Sequence, residues 1–156
     1  MTRFPFPIIY EATATLLPAR MASTEAKAML MAIGLQESRF EHRKQINGPA
    51  MGFWQFEMGG IQAVLRHQAS REPIRKILTA LGYSDVAMSS YNAIEHNDIL
   101  ACAYARCLLW TIAGKLPGPS DHDEAWDQYL FAWRPGRPHK KTWRSFYDLA
   151  WSMVLV

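Results

Sequence analysis

Residues 98–113, Asp-Ile-Leu-Ala-Cys-Ala-Tyr-Ala-Arg-Cys-Leu-Leu-Trp-Thr-Ile-Ala, hold a single interior charge, Arg106. A segment this long with no polar face predicts a helix apolar all round, and such a helix belongs at the centre of a domain. Everything else in the chain can be placed around it. Ser23 reads as an N-cap for a helix running to about Arg39. Ile61, Val64, Leu65 and Gln68 resume helical spacing after Gly59 and Gly60, and Ile74, Ile77, Leu78 and Leu81 form another short helix stopped by Gly82. After the break at Leu116–Ser120, Asp121 and Glu124 predict a capped start for a helix holding Trp126, Tyr129 and Leu130. Trp143, Phe146, Leu149, Ala150 and Met153 predict a closing helix over Thr142–Leu155. Met1–Pro18 mixes β-type residues with a short helical pattern. Alternating strand patterns are nearly absent. The expected fold is therefore mainly α, about six or seven helices around a central apolar one, with a loop over Glu41–Glu57 holding a small irregular or β element near Gly48.

The composition sets outer bounds. At 156 residues, 49% apolar and 20% charged, the chain fits one globular domain, 1–156, that buries about two thirds of its unfolded surface. The net charge of +3 suits an anionic partner but is small for a dedicated nucleic-acid binder. Cys102 and Cys107 lie five positions apart on one helix, so their side chains diverge and two buried thiols are expected. The first ten residues, with Arg3 as their only basic group and Pro5 and Pro7 breaking the apolar run, lack the h-region of a secretory signal. Synthesis in the cytoplasm without an export signal is the expectation.

Glu37 is the chemically informative residue. Ala26, Met29, Leu30, Ile33 and Phe40 lie eleven, eight, seven and four positions before it and three after it, so its carboxyl shares their apolar stripe. Removal from water and a place in the last helical turn both favour the neutral acid, which near pH 7 can protonate a leaving group. Arg39, Arg43 and Lys44 oppose this if they fold back, and an acid paired with one of them is the plainer reading.

With Glu37-Ser38-Arg39-Phe40, then Gly52-Phe53-Trp54-Gln55, then Ala132-Trp133-Arg134-Pro135-Gly136, the chain resembles the goose-type lysozyme and soluble lytic transglycosylase superfamily. That family pairs an E-S-x-[FY] helix end with a G-L-M-Q loop some fifteen residues on and a later A-Y-N-A-G segment. The likeness extends to small phage or prophage endolysins. It implies a lysozyme-like fold with a substrate cleft, Glu37 as general acid then base, and Ser38, Gly52, Trp54, Gln55, Tyr104, Tyr129 and Trp133 on the substrate side. The family tyrosine falls on Trp133, which has no hydroxyl, and Tyr129 one turn earlier is the other candidate for that role.

On the residues alone, Gly52 would let a sugar approach the backbone, Trp54 and Phe53 would offer flat faces to pyranose rings or pack as core, and Gln55 has a donor and an acceptor for hydroxyls. Tyr104 is otherwise a core tyrosine, and Arg106 a buried partner for Asp98 or Glu124. No second acid has a telling spacing, and the direction of Glu57 is open. The resemblance implies cleavage of the β-1,4 bond between N-acetylmuramic acid and N-acetylglucosamine in peptidoglycan glycan strands. The product is a 1,6-anhydro sugar if the muramic C6 hydroxyl attacks, or a reducing end if water does. The enzyme would be a monomer that meets the periplasmic wall after membrane disruption or as a virion component.

The five histidines lack the paired spacing of a zinc site, so no metal and no cofactor are expected. Wall cleavage should proceed unchanged in chelator; a strict metal requirement after dialysis would contradict this. The basic start of the last helix, Lys140, Lys141 and Arg144 beside Trp143, Phe146, Trp151 and Met153, allows contact with an anionic envelope surface, against the plainer reading of a helix packed on the core. Competing readings are a small basic nucleic-acid-binding or phage assembly protein, and a glycan-binding module without catalysis. Nucleic acid is disfavoured because Phe, Trp and Gly cluster beside Glu37, where a recognition helix would want Arg, Asn or Gln.

Overall fold

The computed structural model describes residues 4–156, and the reading of residues 1–3, including Arg3, lies outside it. Eight α-helices follow in order among the described residues: α1 (Phe6–Ala14), α2 (Thr24–Ser38), α3 (Met58–Arg66), α4 (Arg71–Leu81), α5 (Ala87–Ile94), α6 (Asp98–Trp110), α7 (His122–Trp133) and α8 (Lys140–Val154), with a 3₁₀ turn at Ala19–Met21. The mainly α expectation holds. Eight is one more than the upper end of the expected six or seven, and α1 and α5 are the two with the weakest helical signal. α1 starts at Phe6 directly after Pro5, whose ring suits a helix start although the β-type residues around it hide the pattern. α5 is only eight residues long and buries just Ser90 and Ile94, too few for a periodic signal.

α6 is the central element. Every residue from Leu100 to Leu109 is buried, and the helix contacts α1, α2, α3, α4, α5 and α7. Asn97 caps it, accepting from the Leu100 N–H at 3.0 Å. Cys102 and Cys107 are both free and buried, and burial pushes each thiol up to about 12.

α2 runs through the same core and packs most extensively on α8. Ser23 caps it as expected, its hydroxyl accepting from the Ala26 N–H at 3.1 Å. The helix stops at Ser38 because Arg39 and Phe40 both take left-handed backbone, φ 54° and 56°. Phe40 holds that conformation with its ring set among Phe6, Phe53 and Trp54, at centroid distances of 5.7, 5.3 and 5.6 Å. Gly34 makes this possible, since a Cβ there would lie 2.2 Å from Phe40 Cζ.

The loop after α2 folds back on itself through isolated bridges, Lys44 with Met51 and Met51 with Phe56, rather than strands. At α4, Gly82 ends the helix in left-handed conformation, φ 82°. α7 departs from expectation at its start: Asp121 makes no side-chain cap and its Oδ2 instead accepts from the Gly118 N–H at 2.9 Å, closing the Pro/Gly turn. α8 begins two residues earlier than predicted. Its Trp143, Tyr147, Ala150 and Trp151 are buried, whereas Lys140, Lys141 and Arg144 are exposed. Trp143 and Trp151 are thus committed to the core and not offered to a lipid surface. Among the described residues no helix is long and apolar enough to cross a membrane.

Candidate functional site

Glu37 sits in the last turn of α2, half-buried, and its carboxyl lines a groove of about 580 Å³. Its carboxyl is pushed up to about 7, chiefly by desolvation, with the hydrogen bond from Tyr129 opposing the rise and the charge of Glu57 adding to it. No cation pairs with it among the described residues: Arg43 is held by Asp98 through two 2.9 Å bonds, and Arg39 lies 5.8 Å over the Phe146 ring. The paired-acid reading of Glu37 is therefore not the one the geometry takes.

Tyr129 donates its hydroxyl hydrogen to Glu37 Oε1 at 2.7 Å. It is fixed from α7 by stacking on Trp143 of α8, 5.2 Å between centroids with planes 10° apart. Burial and the neighbouring carboxyl both hold the phenol well above its ordinary range, so it stays a donor. A donor aimed at the carboxylate favours the ionised acid. Tyr129→Phe should accordingly raise the Glu37 pKa by about one unit, on the scale of one hydrogen bond to a charged group. A ¹³C titration of the Glu37 side chain reads this directly, and an unchanged or lowered midpoint would contradict the geometry.

Trp133, one turn after Tyr129, lines the same groove and donates Nε1–H to the Trp54 carbonyl at 2.9 Å. Gln55 also lines it, in left-handed backbone (φ 53°), with Nε2 donating to the Gly52 carbonyl at 2.9 Å and Oε1 left for another partner.

Four of the expected site residues lie elsewhere than foreseen. Trp54 is fully buried, its Nε1–H donating to the Leu30 carbonyl at 2.8 Å, so no face of its ring is open to a sugar. Its aromatic neighbours claimed it. Tyr104 is likewise sealed in α6, donating to Ser90 Oγ at 2.6 Å, and reaches no groove. Ser38 is buried and acts as a clamp: it donates to the Phe53 carbonyl at 2.7 Å and accepts from the Phe40 N–H at 3.1 Å, tying the helix end to the loop.

Gly52 is required by packing, because a Cβ there would lie 2.6 Å from Ile94 Cγ2 and 3.2 Å from the Ile94 carbonyl, and its φ is 76°. Gly52→Ala should therefore cost about 1–3 kcal/mol of stability from overpacking and backbone strain. Urea denaturation checks this; a midpoint equal to wild type would mean the loop can shift freely. Arg106 is also reassigned. It pairs with neither Asp98 nor Glu124 but donates Nε–H to the Met21 carbonyl at 2.6 Å.

Several groove residues carried no distinct sequence signal. Glu57, at the N-terminal boundary of α3, lines the groove with Glu37 and is exposed. Gln36 ties α2 to the start of α8, donating to the His139 carbonyl at 2.8 Å and accepting from Thr142 Oγ1 at 3.0 Å. Lys44, Arg134 and Arg137 line the rim, and none lies within ion-pair distance of a carboxylate among the described residues. A second hollow of about 680 Å³ adjoins on the far side of Gln55, Glu57, Trp133 and Arg134, and continues past Phe131 and His67.

Among the described residues the non-glycine residues with left-handed backbone are Arg39, Phe40, Asn47, Gln55 and Arg134, and all lie on the segments that frame Glu37. Such conformations cost on the order of 1 kcal/mol each and gather where the surroundings over-determine a site. Among the described residues no group of three or more His, Cys, Asp or Glu is placed to hold a metal ion. No protein-family model matches the chain, and no characterised protein and no solved structure matches it significantly.

Proposed function

We propose that the chain is a lysozyme-like, peptidoglycan-cleaving enzyme acting on the β-1,4 bond between N-acetylmuramic acid and N-acetylglucosamine, of the kind phages use as endolysins. The observation that carries this reading is the half-buried Glu37 carboxyl, pushed up to about 7, facing a groove of about 580 Å³ and held by Tyr129. An acid with that pKa is protonated often enough near neutral pH to give a proton to a glycosidic oxygen and basic enough afterwards to take one back. The groove and its adjoining hollow would take a polymer lying across Glu37. Unpaired Lys44, Arg134 and Arg137 suit a strand that carries carboxylates.

Within this reading the two nucleophiles lead to different products. If the muramic C6 hydroxyl attacks the anomeric carbon, Glu37 takes the hydroxyl proton and the product ends in a 1,6-anhydro sugar. If water attacks, a second carboxylate is useful, and Glu57 faces the same groove closely enough for its charge to act on Glu37. Mass spectrometry of sacculus digests tests the proposal and separates the branches. Anhydro ends favour the transglycosylase, and reducing ends together with a strong loss in Glu57→Gln favour the hydrolase. Intact sacculi that retain bound protein would mean a glycan-binding module instead. Salt-sensitive binding to duplex DNA in a gel-shift titration, with sacculi untouched, would overturn the wall reading in favour of nucleic acid.

A further inference from the structure

A separate cavity lies away from Glu37 and shares no lining residue with its groove. It has a volume of about 580 Å³ and is framed by the start of α2, the end of α6 and the segment that leads to α7. Its wall includes Arg106, only 2% exposed. The guanidinium donates through Nε to the Met21 carbonyl, and its terminal nitrogens bond to no described residue. No carboxylate lies within 4 Å of it among the described residues. Buried cations are ordinarily paired, and this one lacks a counter-ion. Desolvation correspondingly lowers its pKa.

Three further features face the same space. Arg20 and Lys115 line it, both exposed and both free of ion pairs among the described residues. Arg20 lies over the Trp110 ring at 5.8 Å and Arg106 over the same ring at 5.1 Å. Ser23 caps α2 there, and the Thr24 and Glu25 amides of the first turn bond to no described residue, so the positive end of a 15-residue helix opens toward the cavity. Gln128 also lines it. Its Nε2 donates to the Lys115 carbonyl at 3.1 Å, while its buried Oε1 accepts nothing. Glu25 is the one acid on this wall.

We propose that this cavity binds a small organic anion, a phosphate or a carboxylate. The oxyanion sits against Arg106, Arg20, Lys115 and the α2 amides. The proposal does not depend on wall cleavage by Glu37. The test is an NMR titration of full-length protein with glucose 6-phosphate and with glucuronate at constant ionic strength, following Arg106 Nε–H and the Gln128 side-chain amide. At least one of the two anions should give a saturable shift of both signals that neutral glucose at equal concentration does not. Saturation by glucose 6-phosphate alone identifies a phosphate, by glucuronate alone a carboxylate, and by both a shared oxyanion site.

The double variant Arg20→Ala, Lys115→Ala changes only exposed side chains and should weaken binding about tenfold or more, as loss of two charge-assisted contacts implies. Glu25→Gln, which removes a competing negative charge, should tighten it. Absence of a saturable shift with both anions would overturn the proposal, as would equal saturation by glucose or an affinity unchanged in the double variant.

Discussion

Replacement of Glu37 by glutamine should leave a folded protein whose release of fragments from sacculi falls by about 10²- to 10⁴-fold, the usual contribution of a positioned general acid. The same substitution has a stability signature that does not depend on the proposed reaction. Burial raises the carboxyl from an ordinary 4.5 to about 7 in the folded chain. As pH climbs above 4.5 the unfolded chain releases this proton first, so the folded state binds more protons across the window up to about 7. The stability this group contributes is fully present below 4.5 and is lost as pH rises through about 7. Complete ionisation costs about 3 kcal/mol from this group.

Glutamine cannot ionise and can still accept from Tyr129. Glu37→Gln should therefore flatten the pH dependence of the urea midpoint between pH 4 and 8 and exceed wild type at the upper end by about 2–3 kcal/mol. Fragment release near the wild-type rate would refute the proposed role. Wild-type stability that does not fall over this range would refute the buried acid itself.

Trp54→Ala should produce the largest loss of stability of any change near the groove, about 3–5 kcal/mol, from lost burial and the cavity left behind. The side chain is fully buried, its indole N–H is bonded to the Leu30 carbonyl at 2.8 Å, and its ring meets Phe6 and Phe40 edge-on. Against a total stability of roughly 5–15 kcal/mol, such a loss brings the chain close to unfolding at ordinary temperature. Loss of the indole bond to the Leu30 carbonyl adds to the cost. Urea denaturation distinguishes the two readings of this residue. A tryptophan stacked on sugar would lose glycan affinity and keep its unfolding midpoint, whereas this one should lose its midpoint at once. An unchanged midpoint would return Trp54 to the groove.

The two variants probe the two paired motifs, Glu37–Phe40 and Gly52–Gln55, and their contrast shows where motif reasoning stops. Glu37 and Trp54 both stood out as chemically loaded letters. Only the three-dimensional packing assigns one to the groove and the other to the aromatic cluster beneath it. Periodicity says which residues share a helix face, but a loop such as 41–57 has no period, so the directions of Gly52, Trp54, Gln55 and Glu57 were open. Ser38, Tyr104 and Arg106 are similar cases: each is a buried polar group whose partner lies on a distant segment, at Phe53, Ser90 and Met21 respectively.

What the sequence determined by itself is the architecture of the core. The unbroken apolar run of α6, the Ser23 cap, the Gly82 stop and the amphipathic α8 are local patterns, and local periodicity and capping chemistry suffice to place them. It also placed Glu37 on an apolar stripe at a helix end. What only the tertiary structure decided is the company that acid keeps. Tyr129 reaches it across 92 positions of sequence, Glu57 shares its groove, and Arg39 and Arg43, its nearest cations in sequence, are drawn away to Phe146 and Asp98. A carboxyl's charge state depends on the few groups and the water within a few ångströms of it, and those distances are set by how the helices close on one another.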